Sequence, residues 1–374
     1  MKLSTLFLTT AACAMMVSPA FAKPGEAAPE KIQVALLLDT SNSMDGLISQ
    51  AKSQLWTLVN ELSEGEKNGQ APEIELALYE YGNSNLSVSK GYIRQVLPLS
   101  SDLDAVSEKL FALSTDGGEE YAGMVIKTAI NELKWSDDAD DMKLIIVAGN
   151  EPFTQGPINY QSACARAQKG GIMIDTIHCG SEEQGIKGKW KAGAECGGGI
   201  YMVINQDEET VHVASPYDDQ LLDLNKKLNK TYIGYGAEGE ARKMRQETQD
   251  SNAASMSVGS LLKRSKSKAS AQYKNESWDI VDAYEADEEA ILELDDKALP
   301  KEMKGMDKNA RMAFVEKKTQ ERKAIQAEIK SLEEKRTAFV SEKRKEMADT
   351  KTLDNVMVSA VRKQARENGY EFKK

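Results

Sequence analysis

The residues best suited to chemistry are one carboxylate and two hydroxyls at alternate positions, Asp39, Ser41 and Ser43. They follow an unbroken apolar segment at 34–38, which is typical of a strand buried on both faces of a parallel sheet. Open α/β sheets bind ligands in the loops at the carboxyl ends of such strands. This set of oxygens favours Mg²⁺, Mn²⁺ or Ca²⁺ over zinc. The alternative is an ordinary turn in which Ser or Asp caps the next helix.

Predicted strands and helices alternate along the chain, and together they must position these oxygens. Apolar residues recur at helical spacing over 47–62, and a strand is predicted at 73–81. Further strands are predicted at 93–97, 143–148, 171–177 and 199–204, and further helices at 103–113, 122–135, 160–169, 185–194 and 221–228. This alternation predicts an α/β fold with a doubly wound, mostly parallel sheet covered by helices on both faces.

The pattern Asp39-x-Ser41-x-Ser43 after a buried strand resembles the metal-ion-dependent adhesion site of von Willebrand factor A domains. The resemblance covers residues 31–232, a little over half of the chain. It implies a Rossmann-like domain in which two further loops complete the metal site, usually with a Thr in the second loop and an Asp in the third. A divalent cation, Mg²⁺ or else Mn²⁺ or Ca²⁺, is the cofactor that the resemblance implies.

Both of these loops depart from the family pattern. The second loop has Glu119 where a Thr is common, followed by Glu120, and the third has Gly149 at the position of the Asp, followed by Asn150 and Glu151. Either a glutamate of the second loop replaces the carboxylate that the third loop lacks, or the site has lost its ability to bind a metal and the two glutamates cap the following helix. With relocation, the candidate metal ligands are Asp39, Ser41, Ser43, Glu119, Glu120 and Asn150.

The resemblance implies a non-catalytic module that binds a protein partner, which in this family is captured through an acidic side chain. A glutamate in the inner shell would hold the ion more firmly but weaken its pull on an incoming carboxylate. The alternative is a metal-independent scaffold or accessory subunit of an envelope enzyme or secretion assembly. We expect no enzyme, because no acid, base and nucleophile are arranged for catalysis in the sequence.

The beginning of the chain has the features of a bacterial secretory signal peptide. Lys2 precedes an apolar stretch at 6–17, and small residues precede a cleavage point after Ala22. The apolar stretch is too short to anchor the chain, and no later segment is long and apolar enough to span a membrane. We therefore predict a signal peptide at 1–22 and a periplasmic mature protein.

Cysteines and histidines do not suggest a zinc site. Cys164, Cys179 and Cys196 remain after signal removal, and their spacing matches neither a zinc site nor a CxxC pair. In an oxidising compartment they predict one disulfide and one free thiol, without deciding which two residues pair. His178 and His212 are far apart in sequence, and His178 is expected to be structural although it ends a strand at the ligand-binding edge.

The net charge of the chain limits which kinds of partner it can bind. Asp and Glu number 59 against 48 Lys and Arg, and the formal net charge is −11. A strongly acidic chain argues against nucleic acid or an anionic membrane surface as the main partner.

The chain changes character beyond residue 235. Residues 236–277 are predicted to form a polar linker or helix, and 278–374 a helical, partly coiled-coil region. The triplet Ala-Phe-Val at 313–315 recurs 25 residues later at 338–340, which places both apolar clusters on one helix face. We predict that this region packs apart from the domain core, as a hairpin covered by a helix at 353–365 or as an oligomer.

Overall fold

A six-stranded sheet forms the centre of the molecule, for which a computed structural model describes residues 29–205, 212–345 and 353–372. The predicted signal peptide at 1–22 lies outside the described residues. In spatial order the strands are β4 (Ile93–Ser100), β3 (Glu73–Tyr81), β1 (Lys31–Asp39), β5 (Met142–Gly149), β6 (Ile172–Cys179) and β7 (Gly198–Ile204). Strand β4 pairs antiparallel with β3, and all the other pairs in this sheet are parallel.

Helices cover both faces of this sheet, and the alternation of side chains along β1 shows it. Val34, Leu36 and Leu38 belong to the hydrophobic core on one face, whereas Ala35 and Leu37 belong to the core on the other. The interleaved helices are α1 (Asp45–Ser63), α2 (Leu103–Phe111), α3 (Ala122–Glu132), α4 (Tyr160–Lys169), α5 (Glu182–Lys187), α6 (Trp190–Gly197) and α7 (Asp218–Asn229). The predicted doubly wound α/β fold is confirmed.

The second half of the chain is helical and adds to the same molecule. Its elements are α8 (Gly239–Met256), α9 (Val258–Lys268), α10 (Ile280–Ala286), α11 (Glu288–Leu292), α12 (Lys308–Lys345), α13 (Leu353–Glu367) and β8 (Glu371–Phe372). The short strand β8 pairs antiparallel with β2 (Gly65–Glu66), which directly follows α1. None of the helices in the described ranges has the length and apolarity needed to cross a membrane.

These helices share the core of the α/β unit, which corrects the expectation that they pack apart from it. Leu262, Trp278, Ile329 and Val361 lie in the same hydrophobic cluster as Leu36 of β1. Helix α13 packs on α1 and β7, and α12 packs on α7, α9 and α10. The apolar stripe on each of these helices is too narrow to form a core alone. Each stripe is therefore buried against the helices that cover the Leu36 face of the sheet.

The predicted contacts of the Ala-Phe-Val clusters are met only in part. Val315 is fully buried in a small cluster with Ile280 and Val281, so the apolar segment at 278–281 covers the first of the two clusters on α12. Helix α13 is not the cover of these clusters, because it lies against α1 and the edge strand β7 instead.

A buried ionic cluster fastens the C-terminal helices to the α/β unit. The Arg264 guanidinium lies 2.8 Å from Oδ1 of Asp104 on α2 and 2.6 Å from Oδ1 of Asp250 on α8. Nζ of Lys268 lies 2.7 Å from Asp250, and both cationic side chains are completely buried. The guanidinium also lies 4.7 Å from the ring centroid of Trp56 on α1. Because the charges are paired and hydrogen-bonded, the cluster ties four helices together without leaving an isolated buried charge.

One disulfide joins Cys164 of α4 to Cys196 of α6, and the Cys179 thiol is free and buried. This matches the prediction of one disulfide and one thiol and decides which two cysteines pair. Burial raises the pKa of the Cys179 thiol well above its ordinary value, so that thiol stays protonated and unreactive.

A chain that ends at Tyr235 is expected to lose cooperative folding. It would lack Leu262, Trp278 and Ile329, each of which contributes about 1.5–3 kcal/mol by burial in the shared core. Near-ultraviolet circular dichroism and thermal unfolding of the truncated and full chains will show this. A truncated chain that unfolds as sharply as the full chain would show instead that the α/β unit is independent.

Asp175→Asn is expected to stabilise the protein at neutral pH. Asp175 is fully buried beneath α13, where Oδ1 accepts hydrogen bonds from the Ile200 amide and the Gln364 side chain, while Oδ2 has no hydrogen-bond partner. Burial raises its pKa from 3.8 to about 6. The carboxyl is therefore stabilising below the unfolded pKa, and this contribution is lost as pH rises through 6.

The free energy of unfolding of Asp175→Asn should exceed that of the parent by roughly 1–3 kcal/mol at pH 7.5, since one pKa unit is about 1.4 kcal/mol. The difference should fall below about 1 kcal/mol near pH 4, where the parent carboxyl is protonated in the folded state and only partly ionised in the unfolded state. Urea denaturation at the two pH values measures this. Asp223→Asn, at an exposed aspartate of α7, is the matched control and should show no such trend.

Candidate functional site

Four loops meet at the carboxyl edge of the sheet, beside the end of β1. The backbone amide of Thr40 donates to the carbonyl of Tyr81 at 2.8 Å, and the Thr40 carbonyl accepts from the amide of Asp116 at 3.0 Å. A Cβ atom on Gly118 would lie 2.3 Å from the carbonyl oxygen of Gly82. The loops after β1, β3 and α2 are therefore locked together by main-chain contacts, and the loop after β5 lies beside them.

Asp39 is at the centre of this arrangement and is completely buried. Its Oδ1 accepts a hydrogen bond of 2.8 Å from the amide of Ser41, whereas its Oδ2 has no hydrogen-bond partner. A Cβ atom on Gly82 or Gly149 would lie 2.9 Å from one or other carboxylate oxygen. Only glycine at both positions leaves room for this carboxylate.

Ser41, Ser43 and Asn150 bring neutral oxygens to the same place. The two hydroxyl oxygens lie 3.4 Å apart, and Nδ2 of Asn150 donates to Oγ of Ser43 at 3.1 Å. Oδ1 of Asn150 is buried without a hydrogen-bond partner. Residues from the first and third loops are thus in contact, as the resemblance implied.

Of the two glutamates in the second loop, Glu120 faces Asp39. Glu120 is 9% exposed, and a Cβ atom on Gly82 would lie 2.8 Å from Cγ of Glu120 and 2.9 Å from Oδ1 of Asp39, which places the two side chains side by side. Glu119 points outward to solvent and accepts a hydrogen bond of 3.2 Å from Nε2 of Gln155. The carboxylate that accompanies Asp39 is therefore the second of the pair, and not the one at the position where a Thr is common.

Tyr81 explains why the third loop has no carboxylate at Gly149. The Tyr81 hydroxyl donates to the carbonyl of Ala148 at 2.9 Å, and a Cβ atom on Gly149 would lie 2.6 Å from it. The phenol therefore fills the space that an aspartate side chain would need. Sequence reasoning missed Tyr81 because it is the last residue of β3, and the strand pattern alone marks it as an ordinary core residue.

Burial dominates the electrostatics of the site, and repulsion between carboxylates adds to it. Burial, with smaller contributions from the charges of Glu120 and Glu151, raises the pKa of Asp39 to about 7 against the opposing hydrogen bonds from Ser41. The pKa of Glu120 is raised by burial and by Glu151 and Glu119. A cation at this position would relieve both effects.

The oxygens at this edge fit a hard divalent cation. They comprise the unpartnered Oδ2 of Asp39, the Glu120 carboxylate, two serine hydroxyls and an amide oxygen, which is a set suited to Mg²⁺, Mn²⁺ or Ca²⁺. Within the described residues, no group of three or more His, Cys, Asp or Glu side chains is arranged to hold a metal ion. The site would therefore rely on two carboxylates and on neutral oxygens.

Neither histidine takes part in this site. His178, at the end of β6, is buried 5.8 Å from the ring of Trp190, and burial lowers its pKa, so it stays neutral. Nε2 of His212 lies 3.0 Å from Asp218 at the start of α7, in another part of the fold.

Comparison with known proteins supports the assignment of the domain. The family described as the von Willebrand factor type A domain matches residues 33–189, which include the loops of the site. No curated protein sequence matches the chain significantly.

Several solved structures are similar to part of the chain. The conserved hypothetical protein BatB from Bacteroides thetaiotaomicron is 20% identical with a TM-score of 0.35, over 46% of this chain and 90% of that one. An aerotolerance-related membrane protein from Bacteroides fragilis is 17% identical with a TM-score of 0.33, over 47% and 93%. Proximal thread matrix protein 1 from the mussel byssus, with a zinc-occupied MIDAS motif, is 12% identical with a TM-score of 0.37, over 48% and 43%.

The sheet order, the loop sequence after β1 and the match to the family together lead to one conclusion: the chain contains a von Willebrand factor type A domain.

Proposed function

We propose that this protein is a non-catalytic binding module of the periplasm that engages a protein partner through a divalent cation at the carboxyl edge of the sheet. The observation that carries the proposal is Oδ2 of Asp39, a completely buried carboxylate oxygen without a hydrogen-bond partner. An unpartnered buried carboxylate is strongly unfavourable unless a cation or proton satisfies it.

Asp39, Ser41, Ser43, Glu120 and Asn150 would hold the ion. Bound there, a cation would supply a Lewis-acidic centre for one oxygen atom of the partner. Asp39 contributes charge at the end of the central strand, and the hydroxyls and the Asn150 amide fix the first and third loops around it. Export to the periplasm is consistent with the Cys164–Cys196 disulfide, since such bonds persist in oxidising compartments.

A metal-independent scaffold or accessory subunit is the second candidate, and Gly149 favours it. The third loop brings no carboxylate at this position because Tyr81 fills the space. In that case the raised pKa of Asp39, about 7, would allow a proton to take the place of a cation.

Calorimetric titration of Mg²⁺, Mn²⁺ and Ca²⁺ should detect binding that Asp39→Ala abolishes. Glu120→Gln should weaken binding about tenfold or more, because it removes a carboxylate that lies beside Asp39. Glu119→Gln is the matched control, and less than about a twofold change is expected because Glu119 points to solvent. A larger loss from Glu119→Gln would reassign the ligand, and no uptake by the parent at millimolar ion would favour the metal-independent candidate.

Ion affinity should depend on pH around neutrality. Without an ion, Asp39 has a raised pKa of about 7, so protons compete with the cation below that value and do not compete above it. Affinity at pH 6 should be about tenfold lower than at pH 8, from the change in the ionised fraction of one carboxyl. Titrations in matched buffers at constant ionic strength measure it, and equal affinities would show that Asp39 is already ionised at pH 6.

A further inference from the structure

The carboxylates around the proposed site have no basic partners. Asp116 accepts hydrogen bonds from the Asn85 side chain at 2.6 Å and the Gly117 amide at 2.9 Å, and Glu119 accepts from Gln155 at 3.2 Å. Glu151 is exposed next to Asn150. These three residues, Asp116, Glu119 and Glu151, are called the acidic rim below. Across the described part of the chain, no lysine or arginine lies within 4.0 Å of their carboxylates.

The acidic rim is independent of the charge that an ion would neutralise. A divalent cation matches the charge of Asp39 and Glu120, which leaves the rim carboxylates uncompensated. Glu151 is near enough to raise the pKa of both inner carboxyls, and Glu119 raises that of Glu120, so the rim acts directly on the site. A partner that presents a carboxylate would approach against this charge, whereas a cationic partner would be attracted.

The part of the rim in the second loop is held in place by packing before a partner arrives. A Cβ atom on Gly156 would lie 2.5 Å from the ring of Tyr121, and one on Gly91 would lie 3.4 Å from it. The ring of Tyr92 meets Tyr121 edge-on, with centroids 6.1 Å apart, and Tyr92 adopts a positive φ of 55°. These contacts hold Tyr121 in place. Because Tyr121 directly follows Glu120, they also fix the second loop.

The floor of the rim supplies an independent sign that a ligand binds here. Oδ2 of Asp39 is completely buried and has no hydrogen-bond partner, and it lies between the loops that carry the three rim residues. The loop after β3, whose Asn85 holds Asp116, also carries Val88, which is 70% exposed, and the lysine Lys90. An exposed apolar side chain on a loop that contacts the rim suits the aliphatic stem of lysine or arginine.

We propose that the partner docks through a basic segment whose lysine or arginine side chains pair with Asp116, Glu119 and Glu151. This inference rests on the proposed function for the location of the binding edge, but not on the identity of the ion. The partner chemistry is thus the opposite of the acidic side chain that the family resemblance implied.

Fluorescence polarisation with the full mature chain tests the inference. The probes are a short labelled peptide in which lysine alternates with serine, and a counterpart with glutamate in place of each lysine. The lysine peptide should bind and the glutamate peptide should not. Neutralising the rim by Asp116→Asn, Glu119→Gln and Glu151→Gln should weaken lysine-peptide binding about tenfold or more.

The matched control neutralises three exposed acids elsewhere, Asp219→Asn, Asp223→Asn and Glu240→Gln, and should change affinity less than about twofold. It separates the rim from the net charge of −11, which attracts any cationic peptide. Lys90→Glu should strengthen binding, a result that misfolding cannot produce. Equal losses in the two triple variants, or tighter binding of the glutamate peptide, would overturn the inference.

Repeating the measurement with saturating Mg²⁺ and with chelator separates this inference from the proposed metal site. Rim-dependent peptide binding in a protein that takes up no ion would support the basic partner and overturn the metal-dependent function. Ion uptake without rim-dependent peptide binding would overturn the basic partner alone.

Discussion

The burial of a single carboxylate at the end of the central strand constrains the whole functional edge. Asp39 has no exposed surface, and two glycines and a phenol lie close to its carboxylate. Gly82 and Gly149 leave room for it, Ser41 provides its hydrogen bonds, and Tyr81 closes the space beneath Gly149. The departures from the family pattern are therefore coupled to one another, because each adjusts to the same buried group.

The same constraint explains why the second loop is held so firmly. Gly118 approaches the backbone of Gly82, and Tyr121 is clamped between Gly91 and Gly156, so Glu120 is brought beside Asp39. Burial and mutual repulsion both disfavour the ionised forms of these two carboxylates, and a bound cation would relieve both effects. The loops are ordered by main-chain contacts that do not depend on the ion.

The sequence was sufficient for the strands and for the location of the site. The apolar segment at 34–38 and the alternation that follows it predict the sheet, because a strand buried on both faces has no other pattern. The sequence did not show which of the adjacent residues Glu119 and Glu120 faces Asp39. That depends on how Tyr121 packs against Gly91 and Gly156. The choice of Cys164 and Cys196 as the disulfide pair depends on how α4 and α6 pack, which spacing does not encode.

The organisation of the second half was also beyond sequence reasoning. Thin apolar stripes on α12 and α13 predict that each helix needs a cover, but they do not say which surface provides it. The surface is that of the α/β unit, and the buried pairing of Arg264 with Asp104 joins the two parts. Arg264 and Lys268, which lie in the stretch predicted as a polar linker or helix, are paired inside the molecule.

The pairing of β8 with β2 has a consequence for folding kinetics. Glu371 and Phe372 pair with Gly65 and Glu66, and Arg362 pairs with Glu61 at the end of α1. The outer face of the first helix is therefore covered only by residues about three hundred positions later in the chain, a long-range contact of the kind that slows folding. During synthesis that face stays exposed until those residues emerge, and a chaperone can bind it in that interval.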